Sequence, residues 1–130
     1  MPLVGLSSRD VIIQTPRFED SVRFYEEVLG LAVVHRSERL VGFETGSFVL
    51  YVEPGEAYGP VFEFFVANVG ETARQLVAHG CRIEQDDPAI PRCYVRDPNG
   101  LTFNLHAHSH ARLAEAPDSP AAASPNERGS

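Results

Sequence analysis

The sequence predicts an α+β fold in which two βαβββ units form a cupped, mixed but mostly antiparallel sheet with helices on its outer face. Three observations predict it. Short runs in which apolar and polar residues alternate mark strands, two stretches with apolar residues at helical spacing mark helices, and the order strand, helix, strand, strand, strand occurs twice. With 130 residues and 43% hydrophobic side chains, the chain has the size of one domain with a core of its own.

The first unit begins with Asp10 to Gln14 as a strand. Thr15-Pro16 then supplies a helix N-cap followed by proline at the first helical position. Phe18, Val22, Tyr25 and Leu29 form one apolar stripe, Glu19, Arg23, Glu26 and Glu27 face water, and Gly30 ends the helix. Ala32 to Arg36, Leu40 to Glu44 and Phe48 to Val52 follow as a meander of three strands. Two prolines and two glycines between Pro54 and Pro60 sustain neither periodic structure, so this segment is the internal linker.

The pattern then restarts. Val61 to Val66 is a strand, and Asn68-Val69-Gly70-Glu71 caps a helix whose stripe is Val69, Ala73, Leu76 and Val77, with Gly80 closing it. Arg82 to Gln85, Arg92 to Arg96 and Leu101 to His106 are three further strands, the last entered through the turn Asp97-Pro98-Asn99-Gly100. A shift of about 51 residues superposes Ile13 on Phe64 and Val22 on Ala73, and one of about 54 superposes Gly46 on Gly100, Val49 on Phe103 and Tyr51 on Leu105. The units therefore run from about 7 to 53 and from about 61 to 108 inside one domain of residues 1 to 110. Residues 111 to 130, rich in Ala, Ser and Pro, read as a flexible tail.

Charge narrows the partners. A net charge of -7 without a basic stripe argues against nucleic acid and suits a cationic or metal-bearing ligand. No apolar run approaches the roughly 18 residues of a membrane span, and the first residues are too short for a signal peptide, so the expected location is the cytoplasm. Cys81 and Cys93 read as free thiols in a reducing compartment. No Ser or Cys nucleophile with a readable His and carboxylate, and no glycine-rich phosphate cradle after a strand, is present.

The doubled unit, the run Arg23-Phe24-Tyr25-Glu26-Glu27-Val28-Leu29-Gly30-Leu31 and the turn Asp97-Pro98-Asn99-Gly100 together resemble the vicinal oxygen chelate superfamily, which includes glyoxalase I, extradiol dioxygenases, fosfomycin-resistance enzymes and bleomycin-resistance proteins. The resemblance covers about residues 9 to 108 and implies a ligand cup and a homodimer. In metal-dependent members, ligands come from the first and last strands of each unit. The equivalent positions here carry Asp10, Leu50, Val61 and Asn104. Two of these have no donor atom and an amide is a weak ligand, so the resemblance implies a protein without a metal cofactor. The alternative is one divalent metal ion held by Asp10, Glu63 and His106, two residues along the same strands for the latter pair.

Alternation assigns Asp10, Ile12, Gln14, Phe48, Leu50, Val52, Val61, Glu63, Phe65, Thr102, Asn104 and His106 to the cup, and Val11, Ile13, Val49, Tyr51, Phe62, Phe64, Phe103 and Leu105 to the helix side. Tyr58 in the linker and Tyr94 are placed to stack on a planar ligand. The expected ligand contacts are thus Asp10, Gln14, Phe48, Leu50, Tyr58, Glu63, Phe65, Asn104 and His106. The expected function is sequestration of a small, cationic or aromatic molecule, resembling the bleomycin-resistance proteins of antibiotic resistance. The alternative is a metal-dependent glyoxalase-like lyase or a dioxygenase.

Overall fold

The structure, a computed structural model, describes residues 3 to 108. The Ala/Ser/Pro-rich segment from 111 to 130 lies outside the described residues. The chain forms two compact units, one of residues 9 to 60 and one that joins residues 3 to 8 to the stretch from Val61 onward. Both are α+β with mixed, mostly antiparallel strand pairing, as the sequence predicts.

In the N-terminal unit, β2 (Asp10–Thr15), β3 (Ala32–Ser37), β4 (Leu40–Glu44) and β5 (Val49–Pro54) lie in the order β3-β4-β5-β2, with β2 and β5 parallel. A parallel pair needs a crossover, which the helix between β2 and β3 supplies. That helix starts later than the Thr15-Pro16 signal suggests. Thr15 Oγ1 accepts from the Arg17 amide at 3.0 Å, and α1 covers Phe18–Arg23. It then widens into a π-helical turn, Phe24–Val28, in which the Leu29 amide donates to the Phe24 carbonyl at 3.0 Å. The wider turn rotates Leu29 off the apolar stripe, leaving it 54% exposed, and Leu31 packs on the core instead. Val22, Val41, Phe43 and Val52 are the buried centre, with Ile13, Phe18, Tyr25 and Leu50 packed against them.

The C-terminal unit repeats the plan with β6 (Tyr58–Val66), α2 (Val69–Ala78), β7 (Arg82–Asp87), β8 (Arg92–Arg96) and β9 (Thr102–Ala107), in the order β6-β9-β8-β7. A two-residue strand, β1 (Leu6–Ser7), also pairs with β6. Asn68 caps α2, its Oδ1 accepting from the Glu71 amide at 2.7 Å. Val69, Ala73 and Leu76 pack on Val66, Cys93, Val95, Phe103 and Leu105, while Val77, expected on the stripe, is 47% exposed. Burial raises the pKa of both Cys81 and Cys93, which behave as core thiols.

The turn into β9 explains its signature. Asp97 Oδ1 accepts from the amides of Asn99 at 2.8 Å and Leu101 at 3.0 Å, and Gly100 takes φ +100°, which only glycine adopts without strain. Gly46 has the same φ in the corresponding turn of the first unit, but the two turns differ in length. Glu44 pairs with Val49, spanning Thr45 to Phe48, whereas Arg96 pairs with Thr102, spanning Asp97 to Leu101, one residue more.

That single residue corrects the expected alignment of the last strands. Leu50 pairs with Phe43 and Val52 with Val41, all packed on the helix-side core, so Leu50 and Val52 do not lie on the face away from the helices, where the sequence reading puts them. Val49 and Tyr51 do, because a one-residue slip moves every side chain of a strand to the other face. The counterpart of Asn104 is therefore Tyr51 and not Leu50.

Candidate functional site

In the C-terminal unit, β6 and β9 run parallel with Glu63 opposite Asn104 and Phe65 opposite His106. Phe64, Val66, Phe103 and Leu105 point into the helix-side core, so alternation turns Glu63, Phe65, Asn104 and His106 to the opposite face. Tyr94 of β8 pairs with Asn104 and is buried on that same face. The structure thus brings together four of the expected residues.

Asn104 is held at both ends of its amide. Its Oδ1 accepts from the Cys93 backbone N–H at 2.8 Å, and its Nδ2 donates to Glu63 Oε2 at 3.1 Å. The Cys93 amide therefore fixes which way the side chain points. Glu63 Oε2 also lies 4.0 Å from His106 Nδ1, too far for a hydrogen bond and close enough for attraction when the imidazole is protonated. The Glu63 side chain is 15% exposed and that of His106 39%. Phe65 sits edge-on between His106 and His108, with ring centroids 5.8 and 5.1 Å away, and Arg92 lies 4.7 Å over the Tyr94 ring. A mostly buried acceptor beside half-buried imidazole and phenyl rings suits a flat molecule that donates hydrogen bonds.

The N-terminal unit has polar and aromatic residues of its own away from its core. Gln14 donates to Glu53 Oε2 at 2.9 Å, and Asp10 opens β2 opposite Val49. Tyr51 stands opposite Gly42, whose missing side chain leaves room for the ring, and His35 reaches across to 6.3 Å from it. At the strand end, Arg9 Nη2 meets Glu44 Oε2 at 2.6 Å. The hydrogen bond from Arg9 holds the Glu44 carboxyl below its ordinary pKa, and the same bond raises that of Arg9. Phe48 belongs to the turn before β5 and is 37% exposed, and Tyr58 is the first residue of β6 rather than part of a loop.

The sequence reading missed Tyr51, Gly42 and His35. Their signal was the shorter turn between Glu44 and Val49, which sets the register of β5.

With the corrected register, the positions where this resemblance would place metal ligands carry Asp10, Tyr51, Val61 and Asn104. That set does not fit a divalent ion. Val61 has no donor, a tyrosine phenol is a rare ligand, and the amide of Asn104 is bound to Cys93 and Glu63. Among the described residues, no three His, Cys, Asp or Glu side chains cluster closely enough to hold a metal ion.

Known structures share this fold. A variant of homoprotocatechuate 2,3-dioxygenase from B. fuscum in complex with HPCA matches with a TM-score of 0.59 and 22% identity, over 82% of this chain and 33% of that one. The 2,3-dioxygenase LapB from Pseudomonas sp. KL28 matches at 0.51 and 20%, over 83% of this chain and 42% of that one. The Mn(II)-bound glyoxalase from Novosphingobium aromaticivorans matches at 0.55 and 21%, over 82% of this chain and 40% of that one. The chain spans less than half the length of these structures, and at such identities the likeness is one of fold. No curated protein matches the sequence. The family pattern itself matches residues 9–105. The chain belongs to the Glyoxalase/Bleomycin resistance protein/Dioxygenase superfamily.

Proposed function

We propose that this protein binds a small, flat, cationic or hydrogen-bond-donating molecule without a metal ion, sequestering it as bleomycin-resistance proteins do. One observation carries the reading: Asn104, at a position where metal-dependent relatives place a ligand, spends its amide on Cys93 and on Glu63. The arrangement supports Glu63 as the acceptor for the ligand's charge, with Phe65 and His106 as its aromatic walls. The expected homodimer and cytoplasmic location belong to the same proposal.

A second reading rests on the 4.0 Å approach of Glu63 to His106. A carboxylate and an imidazole side by side are two of the three ligands of a facial metal set, and such a set would support a metal-dependent lyase or dioxygenase. Calorimetric titration separates the two. Under the first reading, metal-free bleomycin or a smaller aromatic cation binds equally well with and without chelator, and Glu63→Gln weakens binding by about tenfold, or about 1.4 kcal/mol. Under the second, binding and turnover require added metal.

A further inference from the structure

We propose that the ligand of the Glu63 face is a planar, delocalised cation of the guanidinium or amidinium kind, and that Arg92 occupies its seat on Tyr94 until it binds. The inference rests on the reading of Glu63 as the ligand's acceptor and adds to it the ligand class and the residue that selects for it.

Strand register lays this face of the C-terminal unit out in two rows. Tyr94, Asn104 and Glu63 stand side by side across β8, β9 and β6. His106 and Phe65 belong to the next row, and Arg92, two residues before Tyr94 on β8, joins it by the same register. Tyr94 is the aromatic residue that the sequence places to stack on a planar ligand, and it is 2% exposed. Its flat side is already taken. The guanidinium carbon of Arg92 lies 4.7 Å over the ring centroid, so the chain's own planar cation sits where a ligand would stack.

That contact indicates the chemistry of the ligand. A tyrosine face that holds a guanidinium attracts planar cations through the ring quadrupole. The Glu63 carboxylate, drawn toward β9 by Asn104 Nδ2 at 3.1 Å, supplies the opposite charge. Adjacent strands are about 4.8 Å apart, so one small ligand can use both the ring on β8 and the carboxylate over β9.

The same chemistry makes Arg92 the ligand's competitor, and it has a second place to go. Asp87 of β7, fixed by the Ala89 amide at 3.1 Å, is the residue directly opposite Arg92 on the neighbouring strand. Exchanging Tyr94 for Asp87 keeps the guanidinium beside an opposite charge and clears the ring. A neutral ligand displaces a cation from the ring without replacing the attraction, so the exchange selects cations. A compact ammonium, which does not lie flat on a ring, replaces it less well than a planar guanidinium.

Phenylguanidinium is the probe, with phenylurea as its neutral isostere. In the 13C,15N-labelled full-length protein, the Arg92 side-chain protons, shielded over the Tyr94 ring, should move to the positions of an unstacked arginine as phenylguanidinium saturates. Arg92→Gln should tighten phenylguanidinium about fivefold, the worth of one vacated ring face. Adding Tyr94→Leu to Arg92→Gln should return the affinity to that of the parent chain, which separates a vacated ring from the mere loss of a positive charge. Phenylurea should bind more weakly than phenylguanidinium throughout. Arg92 protons that stay shielded at saturation, an affinity unchanged or weakened by Arg92→Gln, or a gain that survives Tyr94→Leu overturns the inference. Glu63→Gln in the parent chain reads the acceptor separately. Weaker binding in that variant with Arg92 unmoved in the parent upholds Glu63 and refutes the exchange, whereas release of Arg92 by a probe indifferent to Glu63→Gln upholds the exchange and refutes the acceptor. No response at about 10 mM phenylguanidinium refutes both.

Discussion

Replacing Asn104 by Asp tests the polar network at its hinge. The change is isosteric and keeps an oxygen for the Cys93 N–H, but it exchanges the Nδ2 donor 3.1 Å from Glu63 Oε2 for a second carboxylate oxygen. The lost charge-assisted hydrogen bond is worth about 1.5 to 3 kcal/mol. Repulsion between two charges about 4 Å apart adds up to about 4 kcal/mol at an effective dielectric of 20. Proton uptake caps the sum, because holding one carboxyl protonated at pH 7 against a reference pKa near 4 costs about 4 kcal/mol. The expected destabilisation relative to the parent chain is therefore about 2 to 4 kcal/mol at pH 7.

The pH dependence carries the sign. The folded variant binds a proton more tightly than the unfolded chain does, so its deficit is full at neutral pH and shrinks as pH falls through the raised pKa of the pair. The cap falls by about 1.4 kcal/mol per pH unit and is near 1.4 kcal/mol at pH 5. Asn104→Leu removes both hydrogen bonds without adding charge, so its deficit of about 2 to 4 kcal/mol at pH 7 shrinks less between pH 7 and 5 than that of the Asp variant. Urea denaturation of the three proteins at both pH values measures this. A variant with Asp at this position that is as stable as the parent at pH 7, or whose deficit does not shrink at pH 5, would refute the reasoning.

Two further substitutions test the N-terminal unit. Gly42→Ala places a Cβ 2.7 Å from Tyr51 Cε1, and the ring is 8% exposed. Overpacking of about 1 to 3 kcal/mol exceeds the gain of about 0.5 to 1 kcal/mol from removing a strand glycine, so the urea midpoint should fall, and shortening the ring with Tyr51→Leu in the same chain should recover part of the loss. Glu44→Gln should cost about 0.5 to 1 kcal/mol at pH 7, a modest figure because both partners are about a third exposed. The Glu44 carboxyl is held below its ordinary 4.5, so its contribution is present above that value and is lost as pH falls through the lowered one. The difference from the parent chain should vanish in acid titration followed by circular dichroism.

What was legible in the sequence depended on periodicity and on turn chemistry. Alternation in Val61 to Val66 and in Leu101 to His106 placed Glu63, Phe65, Asn104 and His106 on one face, and Asp97-Pro98-Asn99-Gly100 fixed the register of β9. The same reasoning failed on β5. Register there follows the length of a turn whose Gly46 looks equivalent to Gly100, and one residue fewer between Glu44 and Val49 sends Leu50 to the core and Tyr51 to the face away from the helices. Leu29 was misplaced for a similar reason, since nothing in Phe24-Tyr25-Glu26-Glu27-Val28 announces a π-helical turn. Side-chain pairing was beyond sequence altogether: that Asn104 bridges Cys93 and Glu63 depends on strands brought together by the fold.

Metal content tests the central claim most directly. If the face built around Asn104 works without a metal, the purified protein contains far less than one equivalent of Zn, Ni, Mn or Fe by elemental analysis. Incubation with each ion then leaves the melting temperature unchanged. A stoichiometric ion would contradict the account. So would a rise of about 10 °C on adding one at a hundredfold excess over Kd, the shift expected when binding adds about 2.7 kcal/mol to the folded state.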